Sequence, residues 1–451
     1  MKNNTQNNAE VETFLHANPA IEWVDAFMVD VNGLARGKRI PVADLSQIYA
    51  AGVQFSACAP LLDVRGLGQG AAGLGTNDGD PDGTGWPIPQ TLKRAPWALR
   101  PTAQVQLELR DVTRGERLWW DPRVILADVV ARCRADGIQP IVACELEFYL
   151  IDPRRNRDAP LAPAASPLTG QAPRAAANLS LAALDENAAF LTALQEAALA
   201  QDIPASSAVA EYGVGQFEIN LNHIPDPVKA ADHAALLRRL VKGVAQSRNI
   251  EATFMPKPFL QQPGNGFHIH VSIVDAGDNN RFGAADGDVL LRHAVAGMQA
   301  LTLDSLAIFA PHFNAQRRFE SVFVPRTLDW GYNNRSVAFR IPVADAAAKR
   351  IEHRVAGADA SPHLVMAAVL AAIHHGITNR LAATEPVSAR VSGVLPEFSA
   401  GLLRSLERLE GSALLSRYIP ERYLRAYAEL KRGEYAALME QVLPGELDFY
   451  L

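Results

Sequence analysis

The chain has little cysteine, little net charge and no long apolar run. Its 451 residues include three cysteines (Cys58, Cys133 and Cys144), too few and too scattered for a disulfide framework or a zinc cluster. The formal net charge is −6, and no run of lysine or arginine suggests nucleic-acid binding. No apolar run reaches the roughly 18 residues that a membrane span requires. These absences predict a reduced, cytoplasmic protein that binds neither nucleic acid nor membrane.

Two familiar ligand-binding loops are also missing. The glycine-rich stretch 66–85 lacks the Gly-Lys-Ser/Thr ending of a phosphate-binding P-loop. Within it, Asp78–Gly83 resembles the start of a calcium loop. The twelfth position of that loop is Pro89, however, where a glutamate is needed. Neither loop therefore accounts for a ligand.

The patterning of the chain predicts an α+β fold in two domains. Residues 1–20 are expected to be a flexible segment, 21–115 a small sheet-rich domain and 116–451 a larger domain. The strands between the helices lack regular βαβ spacing, which favours α+β over a doubly wound sheet. Helical periodicity is clear around Leu181–Ala200, Pro227–Ser247, Asp288–Ala310, Pro362–Arg380 and Arg422–Gln441.

The run Lys257–Ser272 is the most informative stretch. It contains a basic residue, then a turn that includes two glycines, and then a strand in which apolar and polar residues alternate. The apolar face can pack on a core while the other face projects into a cavity. Glycine in the turn lets the backbone approach a bulky ligand such as phosphate. The polar face carries His268, His270 and Ser272. This pattern predicts a site for a metal, a nucleotide or both.

Four further segments place polar side chains together in the same manner. Two contain glutamates on one face of a strand, and Glu211 lies beyond a two-glycine turn from which it can fold back beside them. The other two contain arginines as well. The acidic members are Glu145, Glu147, Glu211, Glu218 and Glu352, and the basic members are Arg335, Arg340 and Arg354.

Any one of these segments alone favours an ordinary interpretation. A Glu-x-Glu strand is usually the solvated face of an antiparallel sheet, and a lone His268 is more often a core histidine than a ligand. The five segments together favour chemistry. Five glutamates and one histidine suit Mg²⁺ or Mn²⁺ better than structural zinc. Arginines beside such ions are what phosphoryl transfer needs.

With these residues, the chain resembles the glutamine synthetase family over nearly its whole length. The run Lys257–Ser272 fits the family's ATP-region signature at every constrained position. The small domain carries Asp30-x-Asn32-Gly33…Arg36-Gly37-Lys38, similar to the family's β-grasp domain. The supporting blocks are Glu145-x-Glu147, Glu211…Gly215-Gln216-x-Glu218, Asn334-Arg335-Ser336…Arg340-Ile341-Pro342 and Arg350-Ile351-Glu352-x-Arg354.

The resemblance implies a fold, an assembly and a set of ligands. It implies a β-grasp domain at 21–115, a catalytic domain at 116–451 and a homododecamer of two hexameric rings with active sites between neighbouring subunits. It places one divalent cation at Glu147, Glu211 and Glu218 and a second at Glu145, His268 and Glu352. It places ATP at His270, Ser272 and Lys349, the transferred phosphoryl group at Arg335 and Arg340, and glutamate at Gly264, Arg318 and Arg354.

The sequence departs from the ammonia-using members of the family at two carboxylates. The position of the acid that guards the acyl phosphate falls at Phe323, and the small domain has Ser56 where a second ammonium-binding acid is expected. Without these acids a small cation is poorly held, whereas a phenyl ring favours the carbon body of a larger amine. Phe323, Ser56 and Trp330 are therefore candidates for an amine pocket, although core packing is the slightly stronger interpretation of Trp330.

These departures resemble the γ-glutamylpolyamine and γ-glutamylmonoamine synthetases. We therefore predict an ATP-dependent ligase that joins glutamate to an organic amine through γ-glutamyl phosphate. The other possibilities are an ammonia-using glutamine synthetase, a guanidino kinase with a related catalytic sheet, and a non-catalytic relative. The intact set of six metal-ligand residues argues against the last. Pro263 stands where ammonia-using members have asparagine in the glutamate loop, which is a further departure from those members.

Overall fold

Two mixed sheets organise the computed structural model, which describes residues 2–68, 70–154, 161–173, 175, 177–321 and 323–441. Helix α1, Lys2–Ala17, precedes the first sheet in the stretch where the sequence predicts a flexible segment. Its Val11 is 2% exposed and packs in the core of the small domain, with Phe14 and Leu15 beside it. This apolar face is short and follows an asparagine-rich stretch, so the sequence pattern does not indicate a helix here.

The small domain is a six-stranded sheet with the order β2-β1-β6-β4-β3, and β5 pairs with β6. Strands β1 and β6 are parallel, and the other pairs are antiparallel. The predicted turn after β1 forms because the Asp30 carboxylate accepts hydrogen bonds from the backbone N–H groups of Asn32 and Leu34. The elements are β1 Trp23–Val29, β2 Ala35–Pro41, α2 Leu45–Ala51, β3 Val53–Ser56, β4 Asp82–Pro87, β5 Lys93–Arg94 and β6 Thr102–Asp111.

The large domain is built on an eight-stranded sheet with the order β12-β13-β14-β11-β7-β9-β8, and β10 pairs with β7. Its strands are β7 Gln139–Ile151, β8 Ala205–Ala210, β9 Gln216–Leu221, β10 Glu251–Thr253, β11 Phe267–Val274, β12 Trp330–Tyr332, β13 Phe339–Ile341 and β14 Ile351–His353. Its helices are α3 Pro122–Ala135, α4 Leu181–Glu186, α5 Ala188–Ala200, α6 Pro227–Gln246, α7 Gly287–Leu301, α8 Leu306–Phe309, α9 Phe313–Arg318, α10 Pro362–Thr378, α11 Leu402–Glu410 and α12 Glu421–Met439. Among the described helices, none is long and apolar enough to cross a membrane.

Two of the predicted long helices are each divided. The helix expected over Leu181–Ala200 breaks at Asn187, whose side-chain amide donates to the carbonyl of Ala183 and ends α4. The helix expected over Asp288–Ala310 breaks after α7, where the Thr302 hydroxyl bonds back to a carbonyl of the last turn. Both breaks arise from polar side chains that compete for backbone hydrogen bonds.

The large sheet separates an apolar face from a polar one. Leu146 and Phe148 of β7 and Ile269 of β11 are buried in the same core as α6 and α10. The alternate residues of these strands therefore project from the other face, as the sequence predicts.

Buried polar contacts join the two domains. The Lys431 side chain on α12 is fully buried and donates to the Asn32 side chain in the hairpin of the small domain. It also pairs with Glu434 at 2.9 Å. Asp25 of β1 pairs with Arg239 of α6 at 2.7 Å. The domain boundary at residue 115 stays a prediction, since it falls in the connection between β6 and α3.

Candidate active site

The strand register brings the predicted polar faces together on one side of the large sheet. Directly opposed residues in neighbouring strands have side chains on the same face. The opposed pairs are Glu147 with Glu218, Glu145 with His268, His270 with Glu352, and Arg340 with Glu352. One row of acidic, imidazole and guanidinium groups therefore crosses five strands.

A cavity of about 520 Å³ opens on this face. Gly264 lies in its wall. The position needs glycine because a Cβ there would lie 2.6 Å from the Pro256 carbonyl oxygen and 2.8 Å from the Arg318 side chain. The predicted residues that line the cavity are Glu145, Glu147, Glu211, Glu218, Gly264, His268, Arg318, Phe323, Arg335, Arg340, Glu352 and Arg354.

Crowding raises the pKa values of two glutamates in the cavity. Burial and the neighbouring Glu147 raise the pKa of Glu211 to about 7. Burial, followed by the charges of Glu145 and Glu147, holds the pKa of Glu218 well above its usual range. Carboxylates that repel one another in a buried cavity are a donor set suited to a hard divalent cation, which would neutralise them together. The residues thus fit the metal that the resemblance implies.

Two histidines surround Glu145. His270 Nε2 lies 2.8 Å from Glu145 Oε1, and His268 Nδ1 lies 3.3 Å from Glu145 Oε2. Although burial opposes ionisation, these imidazoles hold the pKa of Glu145 well below its usual range. In the described part of the chain, candidate ligand atoms that lie within 4.8 Å of one another form two groups: Glu145, Glu218 and His268, and Glu145, His270 and Glu352. His270, predicted to face ATP, is therefore also within reach of a metal.

Arginines surround Glu352. Arg340 Nη1 donates to one oxygen of Glu352 at 2.7 Å, and Arg354 pairs with the other oxygen. Burial opposes ionisation, but Arg354 and the histidines lower the pKa of Glu352 to about 2. Arg318 is 3% exposed and donates to the Val355 carbonyl at 2.7 Å. Its Nε has no hydrogen-bond partner within the described part of the chain, as expected of a group that awaits a ligand.

Two predicted ATP residues lie at the edge of the site. The Ser272 hydroxyl donates to the Lys349 carbonyl at 3.2 Å, so these residues are neighbours. The Lys349 ammonium group pairs with Asp288 at 3.3 Å. Arg350, which has no predicted role, donates from Nε to His270 Nδ1 at 3.1 Å and so contacts the row of polar side chains on β11.

Two amine-pocket candidates lie elsewhere. Trp330 is fully buried, and its indole N–H donates to the Thr384 carbonyl at 2.7 Å, which fits the core-packing interpretation. Ser56 lies in β3 of the small domain and donates to Asp80 at 2.5 Å. Among the described residues, neither belongs to the lining of the cavity.

Phe323 and Tyr212 form an aromatic pair at the cavity. Their ring centroids are 5.7 Å apart, and the side chains are 44% and 47% exposed. Phe323 has φ = 64°, a left-handed conformation that is unfavourable for a bulky residue and is typically maintained by its surroundings at functional sites. Tyr212 was not predicted from the sequence, although its position directly after Glu211 was a usable signal.

Gln216 links the acidic cluster to the glycine loop and was also missed as a functional residue. Its amide nitrogen lies 3.4 Å from Glu147 Oε2, 3.2 Å from the Gly264 carbonyl and 3.0 Å from Asn265 Oδ1. Its amide oxygen accepts from the Gly213 N–H at 3.0 Å. One side chain therefore fixes a carboxylate of the cavity relative to the loop beside it.

The chain is similar to known proteins along almost its full length. Residues 120–450 match a family described as "Glutamine synthetase, catalytic domain". Gamma-glutamylputrescine synthetase PuuA of Escherichia coli K12 is 38% identical over 450 residues, which cover 98% of this chain and 94% of that protein. A glutamate–isopropylamine ligase of a Pseudomonas species is 28% identical over 443 residues, covering 96% and 95%.

Solved structures share the fold. A structure described as "Apo GmaS without ligand" has a TM-score of 0.78 at 26% identity and covers 96% of this chain and 97% of that chain. Another, described as a "novel glutamine synthase homolog", has a TM-score of 0.78 at 26% identity and covers 92% and 95%. The two-domain α+β architecture is therefore shared with these proteins.

Proposed function

The chain belongs to the glutamine synthetase family, and from this premise we propose that it joins the γ-carboxyl group of glutamate to an organic amine with ATP. Members of this family are carbon–nitrogen ligases that use ATP and divalent metal ions. The observation that carries the choice of amine is the Phe323–Tyr212 pair at the cavity. An aromatic surface attracts an alkylammonium ion through its carbon body and its charge.

The cavity supports a division of roles. We assign glutamate to Gly264, Arg318 and Arg354, and the transferred phosphoryl group to Arg335 and Arg340. His270, Ser272 and Lys349 are assigned to ATP. Two divalent cations, held by Glu147, Glu211 and Glu218 and by Glu145, His268 and Glu352, would neutralise phosphate charge.

The arginines make the first step possible. The γ-carboxylate oxygen of glutamate attacks the γ-phosphorus of ATP, the bond to ADP breaks, and γ-glutamyl phosphate forms. The guanidinium groups of Arg335 and Arg340, the latter paired with Glu352, offset the charge that spreads over the equatorial oxygens. The neutral amine then attacks the acyl carbon, phosphate leaves, and the amine nitrogen loses a proton as the amide forms.

The aromatic pair serves the second step. Phe323 occupies the position at which the family resemblance places a guarding carboxylate, so the charged group that would hold ammonium is missing there. The rings cover the cavity with apolar surface and limit the access of water, which would hydrolyse the acyl phosphate. The names of the E. coli and Pseudomonas relatives support an amine as acceptor.

An ammonia-using glutamine synthetase is the second candidate. The shared metal-ligand residues and arginines favour it equally, and the choice depends on the acceptor. The homododecamer, the cytoplasmic location, the domain boundaries and the choice between Mg²⁺ and Mn²⁺ likewise belong to the proposal. A mass measured by light scattering would test the assembly.

The acceptor can be tested with a panel of amines. Phosphate release from ATP and glutamate would be measured with ammonium, a monoamine and a diamine, for the native protein and for Phe323→Glu. We expect higher kcat/KM for an organic amine than for ammonium, and Phe323→Glu should shift this preference toward ammonium. Phe323→Leu, which keeps an apolar side chain, is the matched control. A native enzyme that prefers ammonium would overturn the proposal.

A further inference from the structure

A second and larger cavity lies between the two domains. It measures about 830 Å³ and is bounded by the β1–β2 hairpin, the segment 95–99 and helix α6. Its lining shares no residue with the catalytic cavity. Trp97 lies in its wall, packed so closely on α6 that a side chain at Gly243 would meet the indole at 2.3 Å.

Positive charge dominates this cavity. Asp25 is the single carboxylate among the described residues that line it. It is shared by two arginines, at 2.7 Å from Arg39 and 2.7 Å from Arg239. The cationic residues in the lining are Arg36, Arg39, Arg238, Arg239 and Lys242.

The nearby carboxylates neutralise only part of this charge. Arg36 pairs with Asp30 at 2.8 Å, and Asp25 can neutralise one of its two arginines. Arg238 is 6% exposed and donates to backbone carbonyls, including that of Ala360 at 3.0 Å. Asp359 and Asp30 are close enough to act on its charge, although its hydrogen bonds go to backbone carbonyls.

The pKa of Lys242 reflects the concentration of positive charge in this cavity. It lies one helical turn after Arg238 on α6 and lines the same cavity. Burial and the Arg238 charge lower the pKa of Lys242 to about 8, against the opposing influence of Glu251. An anion in the cavity would relieve this repulsion and favour the charged ammonium.

We propose that this interdomain cavity binds a small anion that carries two or more phosphate groups. A phosphate chain supplies several negative charges and oxygen acceptors for the guanidinium and ammonium donors, and Trp97 offers a surface on which a base can stack. The chemistry is shared by inorganic polyphosphate and nucleoside polyphosphates. Because the ligand would contact the hairpin and α6 together, it would bridge the small and large domains.

Binding of inorganic tripolyphosphate and of ADP can be measured by calorimetry on the full-length protein. Arg340→Ala should weaken phosphate binding in the catalytic cavity, and binding at the second site is then identified by the effect of changing its own residues. In this background we expect saturable binding that weakens at least tenfold on adding Lys242→Glu or Arg39→Gln. Arg404→Glu, a charge reversal at a side chain that is 75% exposed on α11, is the matched control and should leave binding unchanged.

The comparison of ligands identifies the source of the phosphate. Tighter binding of ADP than of tripolyphosphate indicates a nucleotide on Trp97, and the reverse order indicates the phosphate chain alone. The milder Lys242→Gln serves if Lys242→Glu does not fold. The proposal is overturned if Arg340→Ala protein binds neither ligand saturably, or if the Lys242 and Arg39 variants bind as tightly as their parent.

Discussion

Arg340 and Glu352 are paired through a 2.7 Å hydrogen bond from Nη1 to Oε2. Arg354 holds the other oxygen of the same carboxylate. Both oxygens of a proposed metal ligand are thus occupied by arginines that we assign to the phosphoryl group and to glutamate. A cation that binds Glu352 competes with these arginines, which links metal binding to the freeing of guanidinium groups for the substrates.

We expect Glu352→Gln to abolish amide formation. The substitution keeps the shape of the side chain but removes the charge that would bind a cation and pair with both arginines. Loss of groups that merely support a metal ligand costs about 10–100-fold, so activity should fall by at least roughly 100-fold. The checks are phosphate release and calorimetric Mn²⁺ binding, with the more exposed Glu397→Gln as control. Undiminished Mn²⁺ affinity would remove Glu352 from the ligand set.

Tyr212→Ala should weaken the use of organic amines. A cation–π contact contributes about 0.5–2 kcal/mol, which corresponds to roughly a 2–30-fold loss of kcat/KM for the amine. Tyr212→Phe retains the ring beside Phe323 and should keep most of the activity. The measurement is kcat/KM for the amine and, separately, KM for ATP. Equal losses for amine and ammonium would mean that Tyr212 has no role in choosing the acceptor.

Gln216→Glu should disturb the position of the glutamate loop. The replacement has nearly the same shape, but it loses the amide donors directed at Glu147 and the Gly264 carbonyl. Each lost hydrogen bond is worth about 0.5–1.5 kcal/mol, so KM for glutamate should rise roughly tenfold. Initial rates at varied glutamate and varied ATP separate the effects, and Gln216→Ala tests whether the added charge matters. A change confined to KM for ATP would contradict the positioning role.

His233 on α6 should make the protein sensitive to acid. It is 6% exposed, and burial followed by the Lys229 charge lowers its pKa from 6.5 to about 4. Below pH 6.5 the imidazole binds a proton in the unfolded chain but stays neutral in the folded protein. The free energy of unfolding is therefore highest above pH 6.5 and decreases as the pH falls toward 4. The expected loss is roughly 2 kcal/mol between pH 7.5 and 5.

Urea unfolding at several pH values tests this expectation. His233→Gln should flatten the pH dependence in that range, whereas His16→Gln, exposed on α1, should leave it unchanged. A slope that survives the loss of His233 would assign the acid sensitivity to other groups.

The sequence predicted most of the polar face of the site. Alternation along β7 and β11 places Glu145 and His268 on the correct sides of their strands, because a buried strand has only two faces. The turn before Gln216 explains how Glu211 can return to the cluster. Such features depend on a few neighbouring residues and are readable from local pattern.

Features that depend on distant parts of the chain were not predictable. The contact between Tyr212 and Phe323 joins segments more than a hundred residues apart, and no local pattern specifies it. The core packing of Trp330 was the stronger interpretation of the sequence, but its partner, the Thr384 carbonyl 54 residues away, could not be named from it. The helix over Lys2–Ala17 was missed because its polar composition resembles that of a disordered segment.

The contact between Asn32 and Lys431 bears on how the chain folds during synthesis. These residues are 399 positions apart, so the hairpin turn of the first domain lacks its buried partner until α12 has been made. Closing so long a loop late is slow, and nascent chains that lack α12 keep this part of the small domain open to solvent. Helix α12 thus supplies the buried partner that the hairpin of the small domain needs to be complete.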